Sequence, residues 1–178
     1  MLRPSDYRAG VGIVLVNARG LVFSGKRRDN RDHPWQMPQG GLMDGETPSQ
    51  AVYREAREEL GTDTVSILEF RPDWLYYDYP APEASRRAML YRGQRHLWYL
   101  LAFEGHDNDI QIEGADGEFS EWRWASPAQI VDEAVSFKQA AYRQVMRYFA
   151  PSLMSLSSGR PTGVTRIATS RHLRQIST

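Results

Sequence analysis

Gly40-Gly41-Leu42-Met43-Asp44-Gly45-Glu46-Thr47-Pro48-Ser49-Gln50-Ala51-Val52-Tyr53-Arg54-Glu55-Ala56-Arg57-Glu58-Glu59-Leu60-Gly61 is the stretch on which the reading of this chain turns. It predicts a helix with both ends marked. Thr47 suits the N-cap, Pro48 the first helical position, and Gln50 completes a capping box. Leu60-Gly61 is a stop signal, because glycine accepts the left-handed conformation in which helices commonly end. At 100° per residue, Val52, Ala56 and Leu60 share the side that goes to the core. Glu55, Glu58 and Glu59 fall within about 100° of one another on the adjacent face. Like charges three and four residues apart repel by a few tenths of a kcal/mol per pair. Such a cluster calls for a compensating cation. Either Arg54 and Arg57 supply it on a solvated face, or a hard divalent ion such as magnesium takes the carboxylate oxygens.

Working outward, apolar and β-branched runs predict strands. Ala9–Val16 is a buried strand, Asn17–Gly20 a turn, and Leu21–Lys26 the second arm of a hairpin. A charged loop follows from Arg27 to Pro34, then a short strand and turn over Trp35–Met43. Val65–Phe70, Trp74–Tyr79, His96–Phe103 and Phe119–Trp124 read as further strands. Ala128–Ala134 reads as a short helix and Phe137–Phe149 as a longer one, with Ala141, Val145 and Phe149 spaced by four. The class is α+β, helices packed on a mixed sheet.

Composition narrows the chemistry. At 178 residues the chain fits one domain. It has no cysteine, which excludes disulfides, zinc thiolate sites and cysteine nucleophiles. The formal charge is zero, unlike the strongly basic balance of a general nucleic-acid coating protein. Residues 151–178 hold Arg160, Arg166, Arg171 and Arg174 and no acid, so residues 1–150 carry a net −4. The stretch from Pro151 on, rich in Ser, Thr and Gly, reads as a basic disordered tail behind a domain at 6–150. No signal peptide or membrane-length apolar run is visible, which leads to the expectation of a soluble, cytoplasmic protein. The four histidines (33, 96, 106 and 172) have no mutual spacing that suggests a metal site. A Gly-rich loop ending in Lys-Ser/Thr and a dinucleotide fingerprint are both missing, so kinase and dehydrogenase readings lack their main feature.

Gly40, Glu46, Arg54-Glu55, Glu58-Glu59 and Gly61 stand at fixed spacings. Seven such positions, each occupied at roughly 6–7%, would coincide on the order of once in a million chains. The pattern resembles the Nudix box: Gly, five residues, Glu, seven residues, Arg-Glu, an apolar residue, any residue, Glu-Glu, any residue, Gly. Ala56 is a small choice at its apolar place, and Thr62 stands where a larger aliphatic is usual. The resemblance implies an α/β/α sandwich around the mixed sheet, with the box as loop–helix–loop. It also implies hydrolysis of a nucleoside diphosphate linked to another group, assisted by a divalent metal, Mg2+ first and Mn2+ second. Glu55, Glu58 and Glu59 are the implied metal ligands, joined by the backbone carbonyl of Gly40. Glu46 and Arg54 are implied to fix the loop and orient Glu55, and Gly61 closes the motif. Glu118 is implied as an additional carboxylate, ligand or general base, with Glu121 as its rival. The metal logic suits a polyphosphate, whose negative oxygens repel an attacking water until their charge is neutralised.

Residues outside the box resemble those of bacterial RNA pyrophosphohydrolases and the related asymmetric dinucleoside polyphosphate hydrolases. The entry Trp35-Gln36-Met37-Pro38-Gln39-Gly40-Gly41 carries the likeness, with Met37 at a usual aromatic place. So do Tyr7-Arg8 with Val11–Val14, Asp73-Trp74-Leu75, Trp122-Arg123-Trp124 and Val135-Ser136-Phe137-Lys138. The implied substrate is a 5′-triphosphorylated RNA, trimmed to a monophosphate so that decay can follow, or a free dinucleoside polyphosphate such as diadenosine tetraphosphate. Arg8, Arg27, Gln39 and Lys138 are implied contacts to phosphate or a leading base, and Phe137 a surface on which a base stacks. Trp74, Tyr76, Tyr77 and Tyr79 read as a half-buried strand or as the lining of a base pocket. A silenced, nucleotide-binding module would need a lost glutamate at position 55, 58 or 59, and none is lost. The sequence points to no protein partner, and a monomer is the simplest expectation.

Overall fold

A computed structural model describes residues 3–29, 32, 35–80, 90–113 and 117–159. Strand β1 (Tyr7–Val16) is the centre of the molecule. Its run of apolar residues is continuous because both of its faces are covered. Val11, Ile13 and Leu15 point to one core cluster, Val14 and Val16 to the other. β1 runs parallel to β6 (Gly93–Phe103), from Tyr7 opposite Gly93 to Val16 opposite Ala102. It runs antiparallel to β2 (Val22–Arg27), which completes the expected hairpin, and to the short β4 (Gln39–Gly41). β3 (Trp35–Gln36) and β7 (Phe119–Ala125) both pair with β2, and β5 (Val65–Asp78) pairs antiparallel with β6 at the outer edge. The sheet is therefore mixed, with the strand path β3-β2-β1-β6-β5.

Helix α1 (Pro48–Leu60) covers one face through Ala51, Val52, Ala56 and Leu60. Helices α2 (Pro127–Asp132) and α3 (Ser136–Ser157) cover the other, where Tyr142, Val145 and Phe149 pack on Trp98 and Leu100. This is the expected α/β/α sandwich. The ends of α1 form as its residues predict. Thr47 and Gln50 make a reciprocal capping box, and Gly61 closes the helix at φ 64° with its N–H on the Arg57 carbonyl.

Two expectations are corrected. Val65–Phe70 and Trp74–Tyr79 are one bent strand, with irregular pairing between Arg71 and Leu75. Pro72, between them, is tolerated because β5 is an edge strand and its missing N–H costs no ladder bond there. The last helix does not stop before Pro151 either. It continues to Ser157, because Leu153 stays in the core and the Ser152 hydroxyl donates to Glu69 at 2.7 Å. Pro151 itself is exposed, where its lost helical bond does least harm. The basic residues assigned to the tail, from Arg160 on, lie outside the described residues, as does His33. Among the described residues, no helix is long and apolar enough to cross a membrane.

Candidate active site

A cavity of about 850 Å³ opens between the start of α1 and the start of α3. The pairing of β4 with β1 sets one wall, because Val11 opposite Gly40 fixes where the loop before α1 begins. Gly40, Arg54, Glu55, Glu58 and Glu59 line this wall. Arg27, Glu118, Phe137 and Lys138 line the opposite one, and Arg8 and Gln39 lie between. The box glutamates, Gly40, Glu118, Arg8, Arg27, Gln39, Phe137 and Lys138 thus border one cavity, whereas Glu121, Trp74, Tyr76 and Tyr77 do not. Glu46 and Gly61, assigned to support, lie outside it.

On the first wall Arg54 is the organising charge. Its Nε and Nη2 donate to the two Glu46 oxygens at 2.8 Å each, and Nη2 also donates to the Gly41 carbonyl at 2.8 Å. Its Nη1 donates to Glu55 Oε1 at 2.6 Å and Glu58 Oε2 at 2.9 Å. Glu46 in turn accepts from the Met43 N–H, so one carboxylate ties the loop to the helix. Arg54 holds the Glu46 carboxyl below the usual range. Glu55 and Glu59 are 7% and 6% exposed, whereas the Glu58 side chain is 38% exposed. The burial of the first two goes beyond the partly solvated face that the helical wheel predicts. Burial pushes the Glu55 carboxyl up against the pull of Arg54. Burial, and then the negative charge of Glu118, push Glu59 well up. Gly40 is required here for space: a side chain at that position would run into the Glu55 carboxylate.

The other wall comes from distant parts of the chain. Arg27 ion-pairs Glu118 through Nη1 and grips Asp29 with its other two nitrogens at 2.5 and 2.6 Å. Gln36 Nε2 donates to the same Glu118 oxygen at 3.3 Å, and Gln36 Oε1 accepts from Lys138 Nζ at 2.9 Å. Lys138 is 6% exposed, and burial with the nearby Arg27 charge lowers its amine to about 7. Of the two rival carboxylates only Glu118 lines the cavity, whereas Glu121 pairs with Lys26 at 2.7 Å.

Gln39 joins the walls. Its N–H donates to Glu59 Oε2 at 3.2 Å, and its side-chain amide donates to the Tyr77 hydroxyl at 3.3 Å. Tyr77, buried, donates onward to Gln94 and packs beside Phe137, with ring centroids 5.8 Å apart. The aromatic run is split by strand alternation. Tyr79 lines the cavity, whereas Tyr76 sits edge-on to Tyr7 and Trp74 lies under Arg95. The sequence reading missed Asp29, Trp35, Gln36, Gln94 and His96 as lining residues. Gln36 was within reach, since it belongs to the quoted entry to the box. Gln94 and His96 carry no local signal and arrive only through the pairing of β6 with β1.

The donor set suits a hard divalent cation, which takes carboxylate and carbonyl oxygens. Glu55, Glu59 and Glu118 border the same cavity, and burial, then the Glu118 charge, makes the ionised form of Glu59 costly. Among the described residues no three acid or imidazole groups converge closely enough to hold a metal ion as they stand. Instead Arg54 draws on Glu55 and Glu58, and Arg27 draws on Glu118.

Comparison with known proteins places the chain in a family. The family model described as NUDIX domain matches residues 6–149. The chain is 44% identical over 151 residues to the RNA pyrophosphohydrolase of Zymomonas mobilis subsp. mobilis, covering 83% of this chain and 97% of that one. It is 46% identical over 148 residues to the RNA pyrophosphohydrolase of Dinoroseobacter shibae, covering 81% and 92%. Among solved structures, the E. coli dihydroneopterin triphosphate pyrophosphohydrolase shares the fold at TM-score 0.61 and 21% identity, over 80% of this chain and 98% of that one.

Proposed function

The chain belongs to the Nudix family of hydrolases, and from that premise we propose that it removes pyrophosphate from the 5′-triphosphate end of RNA, leaving a monophosphate. The observation that carries this reading is the pairing of two unlike walls across one cavity. One wall offers carboxylates for metal, the other a buried cation beside an aromatic ring. Relatives at 44% and 46% identity are named for this activity. The site serves such a substrate in the cytoplasm as part of messenger decay.

In this reading Glu55, Glu58, Glu59 and Glu118, with the Gly40 carbonyl, hold divalent metal, Mg2+ in the cell and Mn2+ as a working substitute. When bound, the metal neutralises charge on the phosphate oxygens and makes water a better nucleophile at neutral pH. Arg54 ties Glu55 and Glu58 to one nitrogen and orients both while Glu46 anchors it. Arg8, Arg27, Gln39 and Lys138 supply donors to the phosphates. Lys138 has no ion-pair partner within 4 Å among the described residues, so its charge is open to an anion. Phe137 offers its ring to a base of the RNA, and stacking of this kind is worth about 1–3 kcal/mol. Single-stranded ends suit such a reader because their bases are free to splay out.

The second reading, hydrolysis of a free dinucleoside polyphosphate, uses the same walls. A side-by-side assay with Mg2+ tests the choice, using a short 5′-triphosphorylated RNA and diadenosine tetraphosphate at equal concentration. A clearly larger kcat/KM for the RNA is expected. A larger value for the dinucleotide would overturn the RNA assignment and leave the metal site standing.

A further inference from the structure

Gln36 is 5% exposed and sits between two opposite charges. Its amide orientation is fixed by chemistry. An ammonium can only donate and a carboxylate can only accept, so the Gln36 carbonyl must face Lys138 and its NH2 must face Glu118. The observed contacts obey this, at 2.9 and 3.3 Å. Backbone pairing holds the residue in place, with Gln36 opposite Gly25 in the β2–β3 ladder. The Met37 N–H donates to the Tyr142 hydroxyl at 3.2 Å, which ties the same short segment to α3. Lys138 rides on that helix, with the Tyr77 and Phe137 rings 5.7 and 6.0 Å from its nitrogen.

We propose that Gln36 is a positioning residue, a neutral spacer that keeps Lys138 from pairing directly with Glu118. A lysine and a glutamate in a poorly solvated pocket attract strongly. Were they to meet, Lys138 would be lost to the phosphates and Glu118 to the metal. Glu118 already pairs with Arg27 through the oxygen that Gln36 touches, and the amide satisfies Lys138 without adding a second cation to that carboxylate. It donates one hydrogen to Glu118, whose second oxygen stays free of Gln36, and it accepts one hydrogen from Lys138, leaving two. Groups that orient metal ligands from behind commonly carry a ten- to hundredfold share of metal affinity. This inference rests on the reading of Glu118 as a metal ligand and of Lys138 as a phosphate donor.

The test is Mn2+ binding to the full-length protein without substrate, by calorimetry. Gln36→Met keeps the volume and removes both hydrogen bonds. Its Mn2+ Kd should rise about tenfold or more, and Lys138→Met in the same background should restore most of the loss by removing the rival cation. A merely structural Gln36 would not be rescued in this way. Should Gln36→Met not fold, Gln36→Asn, an amide too short to reach both partners, carries the same expectation. Native Mn2+ affinity in the folded Gln36 variant overturns the spacer, and so does a failure of Lys138→Met to restore it. Glu118→Gln separates the two levels of the argument. If that variant binds Mn2+ normally, Glu118 is not a ligand and the underlying reading fails. If it binds weakly while Gln36→Met binds normally, only the spacer fails.

Discussion

The two walls of the cavity manage charge in opposite ways. On the α1 wall one guanidinium contacts three carboxylates and a carbonyl, and all four partners lie between Gly41 and Glu58. On the α3 wall Lys138 faces a neutral amide, and its neighbours come from β2, β3, β5 and the residue just before β7. The first wall is a local device, a loop and a helix that close on themselves. The second exists only once the sheet has formed. A saturated wall suits holding ligands in place for a metal. A wall with an unpaired cation suits a substrate that arrives with its own negative charge.

The sharpest way to break this contrast is Glu58→Gln. Glu58 is the most exposed of the three box glutamates and contributes little to the core. The variant should fold normally yet lose turnover by about three orders of magnitude or more, because an amide is a poorer metal ligand and cannot take a proton. Normal kcat in this variant would remove the α1 wall from the chemistry. Next is Arg54→Met, which leaves Glu46 and Glu55 without their shared counterion. Removing one partner from a largely buried charge group typically costs about 3–5 kcal/mol. The Arg54 side chain is 17% exposed, so a loss of about 3 kcal/mol is expected, read from urea unfolding. An unchanged midpoint would mean that the carboxylates do not depend on Arg54.

The same contrast explains what the sequence made legible. The α1 wall follows from spacing alone, because its cap, its stop and its glutamates are neighbours in the chain. The burial of Glu55 and Glu59 was not legible. The wheel set them beside the core, and only the fit of α1 over Gly40 shows them enclosed. On the other wall Arg27, Glu118, Phe137 and Lys138 came from family resemblance, since no local pattern joins residues up to 111 positions apart. Gln94 and His96 went unassigned for the same reason, whereas Gln36 stands in the quoted entry to the box. The end of α3 was misread because Pro151 is a strong local stop signal, whereas the burial of Leu153 is a tertiary one.

Two smaller effects sharpen the account of the α3 wall. Phe137→Ala should lower kcat/KM for triphosphorylated RNA about tenfold more than for diadenosine tetraphosphate, in keeping with about 1–3 kcal/mol of stacking on a downstream base. Equal losses would make Phe137 a packing partner of Tyr77 and no more. His96 gives a pH signature. Burial, then the charges of Lys138 and Arg8, hold its imidazole neutral and lower it to about 3. The unfolded chain protonates near the ordinary value of about 6.5. Below that pH the unfolded state binds a proton that the fold refuses, so stability falls by about 1.4 kcal/mol per unit on the way to pH 3. His96→Gln should flatten this slope between pH 6.5 and 4.5, whatever it does to stability at pH 8. An identical slope would show that acid sensitivity arises elsewhere.

The smallest expected effect tests whether the α1 wall is as local as its contacts suggest. Thr47 accepts from the Gln50 N–H at 3.3 Å, and the Gln50 side chain accepts from the Thr47 N–H at 2.9 Å. Losing such a cap costs about 1 kcal/mol. Helix α1 is also held by Leu60 and Val52 in the core and by Arg54 across the loop. Thr47→Ala should therefore lower stability by about that amount and leave the Mn2+ Kd unchanged, since the glutamates sit two and three turns further on. A matching loss of metal affinity would mean that fraying at the first turn reaches Glu55, and that the loop and Arg54 alone do not hold the ligands in register.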